Sequence, residues 1–193
     1  MRIRVSPVTA ARWEDMCELF ERRGPRGGMR NTPAYGCWCM YWRDRSLAHG
    51  EPKKLAMGAL VRAGREPGLL AYDGQEPVGW VSIGPREEFP HLLRSPQYRP
   101  RDDGGGPAVW SIVCFVVDRD VQGRGVAREL LAGAVEHAFA RGASSVEAYP
   151  HAFRGDDYMG SVGLFDAAGF GKVRDANKRV IVRLGRPDQA ISR

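Results

Sequence analysis

Residues 117–131, VDRDVQGRGVARELL, form the part of this chain best suited to binding a phosphate. Apolar residues at helical spacing predict a helix that begins near Gly123, and no Ser, Thr, Asp or Asn immediately precedes that helix to cap it. Open backbone amides at a helix start, reached through Gly123 and Gly125, suit an anion such as a pyrophosphate. Arg124 adds a positive charge, so the spacing predicts a pyrophosphate site over residues 122–127.

Two common phosphate-binding motifs do not fit this segment. A Walker A loop ends in Gly-Lys-Ser/Thr, and GRGVAR contains no such Lys. A dinucleotide-binding fingerprint would need its third glycine at Arg128 and would begin directly after the preceding strand. Glu147 matches the ribose-binding acid of that fingerprint but is also an ordinary strand residue. A glycine-bearing turn that holds no ligand is the remaining alternative.

The segment YGCWCMYWR, residues 35–43, raises the question of a metal or redox site. Cys37 and Cys39 have one residue between them, which is not the usual spacing of zinc ligands, and no second cysteine pair accompanies them. A disulfide between residues so close together would be strained. We therefore expect neither a metal nor a structural disulfide. Cys17 and Cys114 fit core positions.

The composition fits a single domain over residues 1–185, followed by a tail over residues 186–193. Of the 193 residues 43% are hydrophobic, and 29 Lys and Arg against 23 Asp and Glu give a net charge of +6. This balance suits phosphorylated ligands, but the basic residues are too dispersed to indicate a nucleic-acid partner. We expect a cytoplasmic protein with no membrane partner, because neither a signal peptide nor a spanning run is found.

The pattern of apolar residues predicts an α/β protein with a mixed sheet. A strand and two helices come first, GLLAYD and PVGWVSIG form a hairpin, and AVWSIVCFVV is the buried central strand. The next helix has crossover length and leads into SSVEAY, which implies a strand parallel to the central one. The helix SVGLFDAAG and the strands FGKVRD and RVIVRL complete the order.

Gln122, Gly125 and Ala127 match the pattern Gln/Arg-x-x-Gly-x-Gly/Ala. With the sequence around them, they resemble the acetyl-coenzyme A loop of the GCN5-related N-acetyltransferase (GNAT) family. The predicted elements follow that family's order from end to end. LFDAAGF also resembles the family's later helix-Gly-Phe segment at Gly169 and Phe170. The resemblance covers nearly the whole chain.

The resemblance implies a GNAT-like fold. This fold is a central mixed, mostly antiparallel sheet of about six to seven strands flanked by about four helices. A parallel strand pair splays apart after a bulge at the cofactor site. The implied acyl donor is acetyl-coenzyme A (acetyl-CoA), with no metal. Its pantetheine is held by backbone at a strand end and its pyrophosphate by the loop, at Phe115, Val116 and Val117 and at Gln122, Gly123, Arg124, Gly125, Val126 and Ala127, respectively.

The resemblance also implies direct transfer of the acetyl group to an amine, on a small molecule or on a protein. A primary amine has a pKa of about 10.4, so it must lose a proton before it attacks. Glu87 and Glu88 are the candidate bases, and His151 is the second choice. Phe165 stands where the family often has a Tyr acid, so Tyr158, a water molecule or no acid at all serves the leaving thiolate.

Residues 31–45 and 85–107 are irregular segments of the kind that border the acceptor cleft in proteins resembling this one. The candidate acceptor-binding residues are aromatic: Trp38, Tyr41, Trp42 and Phe89. Such a lining would suit an apolar or cationic molecule. Alternatively, these rings pack the second helix onto the sheet. A catalytically silent acyl-CoA-binding sensor or scaffold is the alternative function, and a homodimer is left open.

Overall fold

A seven-stranded sheet forms the centre of the computed structural model, which describes residues 2–24, 36–101, 108–153 and 158–187. The strands are β1 Ile3–Pro7, β2 Gly68–Asp73, β3 Glu76–Pro85, β4 Val109–Val117, β5 Ser145–Ala148, β6 Gly171–Ala176 and β7 Arg179–Gly185. Their order across the sheet is β1-β2-β3-β4-β5-β7-β6. The β4–β5 pair is parallel, and the other five pairs of neighbours are antiparallel. The expected mixed, mostly antiparallel sheet is thus confirmed.

Five α-helices accompany the sheet in the described part of the chain: α1 Trp13–Glu21, α2 Glu51–Arg62, α3 Pro90–Arg94, α4 Val126–Ala140 and α5 Val162–Asp166. The sequence predicted an irregular connection where α3 forms, because five residues are too few to show a helical period. None of these helices is long and apolar enough to cross a membrane. Of the predicted tail, residues 188–193 lie outside the described residues.

Both faces of the sheet are covered by apolar side chains. On one face Leu130 and Ala134 of α4 pack in the same cluster as Val81 of β3 and Ile112 of β4. All four side chains are fully buried. Burying a side chain of the size of Leu, Ile or Val stabilises the fold by about 1.5–3 kcal/mol. This layer fixes α4, and with it the loop that precedes α4, against the central strands.

The opposite face is covered by α1 and α2. Met16 and Phe20 of α1, together with Met57 of α2, pack with Trp80 of β3. The rings of Phe20 and Trp80 meet edge to face with centroids 6.0 Å apart. The segment after α1 packs in the same cluster through Trp38 and Met40.

Gly68, the first residue of β2, occupies a position where no side chain fits. A Cβ atom there would overlap the carbonyl oxygen of Val81 and lie 2.5 Å from the Trp80 ring. A backbone oxygen within a sheet cannot shift without disturbing strand pairing. We expect Gly68→Ala to lower the free energy of unfolding by about 1–3 kcal/mol, as measured by chemical denaturation.

Gly163→Ala is the matched control for this substitution. Gly163 lies within α5, and nothing lies within 4 Å of the position that its Cβ would take. Alanine favours a helix over glycine by up to about 1 kcal/mol, so this variant should be as stable as the wild type or more so. A Gly68→Ala protein that is as stable as the wild type would contradict the close approach of β2 to β3.

Candidate functional site

The parallel pairing of β4 with β5 stops partway along β4. The last paired residues are Ile112 and Ala148. β5 ends there, whereas β4 continues to Val117. The register of β4 against β3 also shifts, between Ser82 and Ile83, as it does at a β-bulge. The expected pair of strands that splays apart after a bulge is therefore confirmed.

Two residues of β4 direct their backbone groups to the side that β5 has left. The Asp118 amide donates to the Val78 carbonyl at 2.9 Å. Neighbouring residues of a strand alternate in direction, so the N–H and C=O of Val117 point away from β3. Phe115 lies two residues earlier and has the same orientation. β4 thus offers hydrogen-bonding groups along an edge without a partner strand.

The partners at this edge come from neighbouring segments. The Phe115 amide donates to the Tyr158 carbonyl at 2.5 Å. The Val117 carbonyl accepts a hydrogen bond of 3.4 Å from Nε2 of Gln122, a residue of the predicted pyrophosphate loop. The predicted pantetheine and pyrophosphate positions are therefore adjacent. An acyl donor that forms a hydrogen bond with the Phe115 amide must therefore displace the Tyr158 carbonyl from it.

The loop between β4 and α4 starts at a buried anchor. Asp118 is 2% exposed and forms an ion pair of 3.0 Å with Arg22. Its other carboxylate oxygen accepts the Asp120 amide at 3.0 Å. Arg22 also pairs with Glu18 and Glu76, each at 2.8 Å. Because Asp118 is held by both oxygens, the loop leaves the strand in a fixed direction.

The start of α4 has the open geometry that the sequence predicts. Gly123 and Gly125 have φ angles of 78° and 86°, which residues with a side chain rarely adopt. The helix α4 begins at Val126, rather than near Gly123 as predicted. No side chain caps the helix. The Arg128 guanidinium extends back to within 3.3 Å of where a Gly125 Cβ would lie. Arg128, which no sequence motif indicated, adds positive charge at this helix start.

A cleft of about 460 Å³ lies beside Tyr158. Its walls come from the segment after α1, from the segment after β3 and from Tyr158 and β7. The lining residues are Tyr41, Trp42, Arg45, His91, Arg94, Ser95, Pro96, Gln97, Tyr98, Tyr158 and Arg179. We call it the basic cleft, because three arginines and a histidine line it. Tyr158 connects it to the open edge of β4.

The four predicted acceptor residues divide into two pairs. Tyr41, 39% exposed, lines the basic cleft, and so does Trp42, although Trp42 is only 6% exposed and packs in one cluster with Phe89. Trp38 instead packs in the core, with its ring centroid 5.1 Å from that of Phe20. Phe89 is fully buried. Trp38 and Phe89 thus follow the alternative interpretation, that aromatic rings of these segments pack against the fold, because the turn that contains Trp38 directs its ring towards α1.

The cysteines of this segment do not pair with each other. Sγ of Cys39 lies 3.1 Å from Sγ of Cys114 on β4, and Nε1 of Trp80 donates to Cys39 Sγ at 3.2 Å. All four cysteines are free thiols. Burial raises the pKa of the Cys17 thiol to about 11 and raises that of Cys37 as well. The described residues contain no cluster of three or more metal-binding side chains.

Glu87 and Glu88 do not line the basic cleft. Glu88 forms an ion pair of 2.5 Å with the buried Arg43 through one carboxylate oxygen, and a second ion pair with Arg65 through the other. Arg43 also lies over the Phe89 ring, 4.4 Å from its centroid. Burial lowers the Arg43 pKa to about 10. Glu87 is exposed in the 3₁₀ turn that precedes α3.

The remaining catalytic candidates differ in their access to the cleft. Tyr158 is the one among them that lines it. His151 accepts the Phe153 amide on Nδ1 at 3.2 Å and contacts β7 instead. Phe165 is fully buried, and its ring lies 5.1 Å from that of Phe170. Phe165 is therefore a core residue at the position where the family often has a tyrosine.

A buried polar network lies just before the point where β4 and β5 separate. Glu147 pairs with Arg183 at 2.5 Å and with Arg86 at 3.0 Å. The Tyr149 hydroxyl contacts Glu147 at 3.1 Å and Ser111 of β4 at 2.9 Å. Burial and the Glu147 charge raise the pKa of Tyr149. Glu147 is thus a partner of two arginines rather than a ribose-binding acid.

We expect Glu88→Gln to destabilise the fold, because it leaves the buried Arg43 charge without its partner. Removal of one member of a buried ion pair costs on the order of 3 kcal/mol. Thermal unfolding with Glu87→Gln as the exposed control measures this loss. A normal melting temperature for Glu88→Gln combined with a large loss of turnover would contradict the structural role and favour Glu88 as the base.

Solved structures with the same fold cover nearly the whole chain, whereas a search among curated protein sequences finds no match. The structures include a mosquito arylalkylamine N-acetyltransferase like 5b, with a TM-score of 0.60, 13% identity and coverage of 96% of this chain and 100% of that one. The PaiA N-acetyltransferase of Thermoplasma acidophilum in complex with coenzyme A has a TM-score of 0.54, 12% identity and the same coverages. A chain of the NatC complex bound to Gag peptide and CoA has a TM-score of 0.56, 12% identity and coverage of 96% and 99%.

At such low identities these similarities show the fold alone. The family follows from the sequence itself, since residues 13–170 match the family model described as Acetyltransferase (GNAT) family. The matched range extends from α1 to the end of the helix-Gly-Phe segment at Phe170 and includes the whole phosphate loop. The chain therefore belongs to the GNAT family of acetyltransferases.

Proposed function

We propose that this protein transfers an acetyl group directly from acetyl-CoA to an amine. The observation that carries the proposal is the hydrogen bond between Phe115 and Tyr158, where the open edge of β4 meets the basic cleft. Family membership supports acetyl transfer, and the coenzyme A bound in two similar structures supports the donor. An amine acceptor is supported by the N-acetyltransferases among the similar structures.

The donor's pyrophosphate binds at the start of α4. The positive φ angles of Gly123 and Gly125 leave the backbone accessible, and the uncapped amides at Val126 and Ala127 point out of the helix. The exposed guanidinium of Arg128 offsets part of the phosphate charge. Gln122 and Arg124 complete the predicted loop.

The pantetheine follows the open edge of β4. Its amides bond to the backbone at Phe115 and Val117, which face away from β3. The backbone of Val116 faces β3 and its side chain packs in the core under α1, so Val116 supports this edge without bonding to the pantetheine. This path leads from the phosphate loop to Tyr158, so the thioester arrives at the basic cleft.

The transfer consists of one bond formed and one broken. The neutral amine nitrogen attacks the thioester carbonyl carbon, and the C–N bond forms. The nitrogen, now positively charged, loses its extra proton to water in the cleft, while the C–S bond breaks and sulfur leaves as a thiolate. The Tyr158 hydroxyl donates a proton to this thiolate, because Tyr158 lines the cleft and its carbonyl is bonded to β4. Water then returns the proton to Tyr158.

The amine loses its proton to water in the cleft. Both oxygens of Glu88 are engaged by Arg43 and Arg65, so Glu88 ties the segment after α1 to the end of β3 instead of facing the amine. Glu87, exposed in the turn after β3 and outside the cleft, receives the proton through solvent. The acceptor itself contacts Tyr41 and Trp42.

A catalytically silent acyl-CoA-binding domain is the second candidate function. The observation that favours it is Phe165, a core residue without the hydroxyl that many family members supply at this position. The two candidates share the phosphate loop and differ in turnover alone.

Gly125→Glu tests the placement of the pyrophosphate. We expect it to weaken coenzyme A binding at least about tenfold, because it introduces bulk and negative charge among the helix-start amides. Isothermal titration calorimetry with coenzyme A measures the change. Gly142→Glu is the matched control, since Gly142 has φ 85° against 86° for Gly125 and lies at the opposite end of α4. Equal affinity of the two variants would place the pyrophosphate elsewhere.

Release of free thiol from acetyl-CoA in the presence of a panel of amines tests the activity. We expect acetylated amine and coenzyme A to form in equal amounts. Tyr158→Phe should lower kcat on the order of 10²-fold with unchanged coenzyme A affinity, as loss of a general acid does. Tight binding of coenzyme A without turnover on any amine would reject the enzyme and leave the silent domain.

A further inference from the structure

The walls of the basic cleft carry an excess of positive charge. Arg45, Arg94 and Arg179 line it together with His91, and none of the lining residues is an aspartate or glutamate. Arg45 and Arg94 form no ion pair with any part of the chain that the structure describes. A concave surface lined by one sign of charge attracts ligands of the opposite sign.

We propose that the acceptor of this acetyltransferase is a small amine that also carries a carboxylate or phosphate group, and that Arg45 and Arg94 bind this anionic group. The proposal rests on the acetyltransferase function proposed above and adds the chemical class of the acceptor. The volume of the cleft, about 460 Å³, is that of a site for a small molecule.

Arg45 is held in place by aromatic rings. Its guanidinium carbon lies 4.1 Å from the centroid of the Tyr41 ring and 5.0 Å from that of Trp42. Nε of Arg45 donates to the Tyr41 carbonyl at 3.3 Å. When the face of a guanidinium stacks on a ring, the N–H groups at its edge stay free to donate. A carboxylate or phosphate can accept two hydrogen bonds from them.

The same stacking argues against a cationic acceptor. The sequence suggested that Tyr41 and Trp42 offer their faces to an ammonium group, but Arg45 lies over both rings. The aromatic residues therefore support a protein cation rather than a substrate cation. An acceptor with a second positive charge would be repelled by Arg45 and Arg94.

His91 adds a hydrogen-bond donor to the cleft. Its Nε2 accepts the Arg45 amide at 3.2 Å, so the neutral ring carries its proton on Nδ1 and can donate from there. Burial and the charges of Arg45 and Arg94 lower the pKa of His91. The neutral ring adds a donor for an anion to the two arginines.

The geometry of the cleft orders the two ends of the acceptor. Tyr158 lies at the end that meets β4, where the thioester arrives, and the amine belongs there. Arg94 lies at the end of α3, and Arg45 lies in the segment after Trp42. The anionic group therefore binds on the wall that these two segments form.

Matched pairs of amines test the proposal. Phosphoethanolamine is compared with ethanolamine, and β-alanine with β-alaninamide, by kcat/KM for thiol release. We expect each anionic member to react about 10- to 100-fold better, since a hydrogen bond to a charged group contributes about 1.5–3 kcal/mol. The first pair reports on phosphate and the second on carboxylate.

Arg45→Gln and Arg94→Gln should remove this preference, mainly through a higher KM for the anionic member of each pair. Arg62→Gln is the control, because Arg62 is an exposed arginine at the end of α2, outside the cleft. Turnover without preference for the anionic members, or a loss that is equal for both members of a pair, would overturn the proposal while the acetyltransferase function stands. Preference for an acidic peptide over every small anionic amine would overturn the small-molecule class.

A second readout does not need turnover. Titration with inorganic phosphate should shift the NMR signals of the His91 ring, and the shift should disappear in the Arg45→Gln, Arg94→Gln double variant. Absence of turnover on every amine would reject the proposed function and with it the acceptor assignment. A His91 signal that phosphate leaves unchanged would overturn anion binding at this wall.

Discussion

The end of pairing between β4 and β5 after Ile112 is the constraint on which the rest of the site depends. Backbone N–H and C=O groups within a fold require partners, and a strand that loses its neighbour must find them elsewhere. Here Phe115 finds the Tyr158 carbonyl and Val117 finds the Gln122 side chain. Both partners belong to segments of the proposed site. The same unpaired edge that needs these contacts gives a thioester donor a backbone to bind.

Buried ion pairs fix the segments that surround this edge. Asp118 and Arg22 set the direction of the phosphate loop, and Arg43 and Glu88 tie the segment after α1 to the end of β3. A buried ion pair contributes little net stability, but loss of either member leaves the other charge buried without a partner. These pairs therefore act mainly on the arrangement of the loops. The arginines of the basic cleft differ, since Arg45 is held by stacking and stays available to a ligand.

The parts of the structure that the sequence predicts are those with local signals. The order of strands and helices follows from apolar periodicity, and the phosphate loop from glycines that need positive φ angles at 123 and 125. The basic cleft has no local signal, because Arg45 and Arg94 are distant in sequence. The aromatic residues of the segment 35–43 were equally ambiguous: Trp38 packs in the core beside α1, whereas the equally buried Trp42 forms part of the cleft wall.

Backbone NMR of the protein titrated with coenzyme A tests whether the donor lies on the open edge of β4 and at the start of α4. We expect the amide signals of Val117, Val126 and Ala127 to shift and to become protected from hydrogen exchange. The signal of Phe115 should change as well, because its amide leaves the Tyr158 carbonyl and bonds to coenzyme A. Binding of coenzyme A that leaves all four amides unchanged would contradict a donor site on the open edge of β4 and the start of α4.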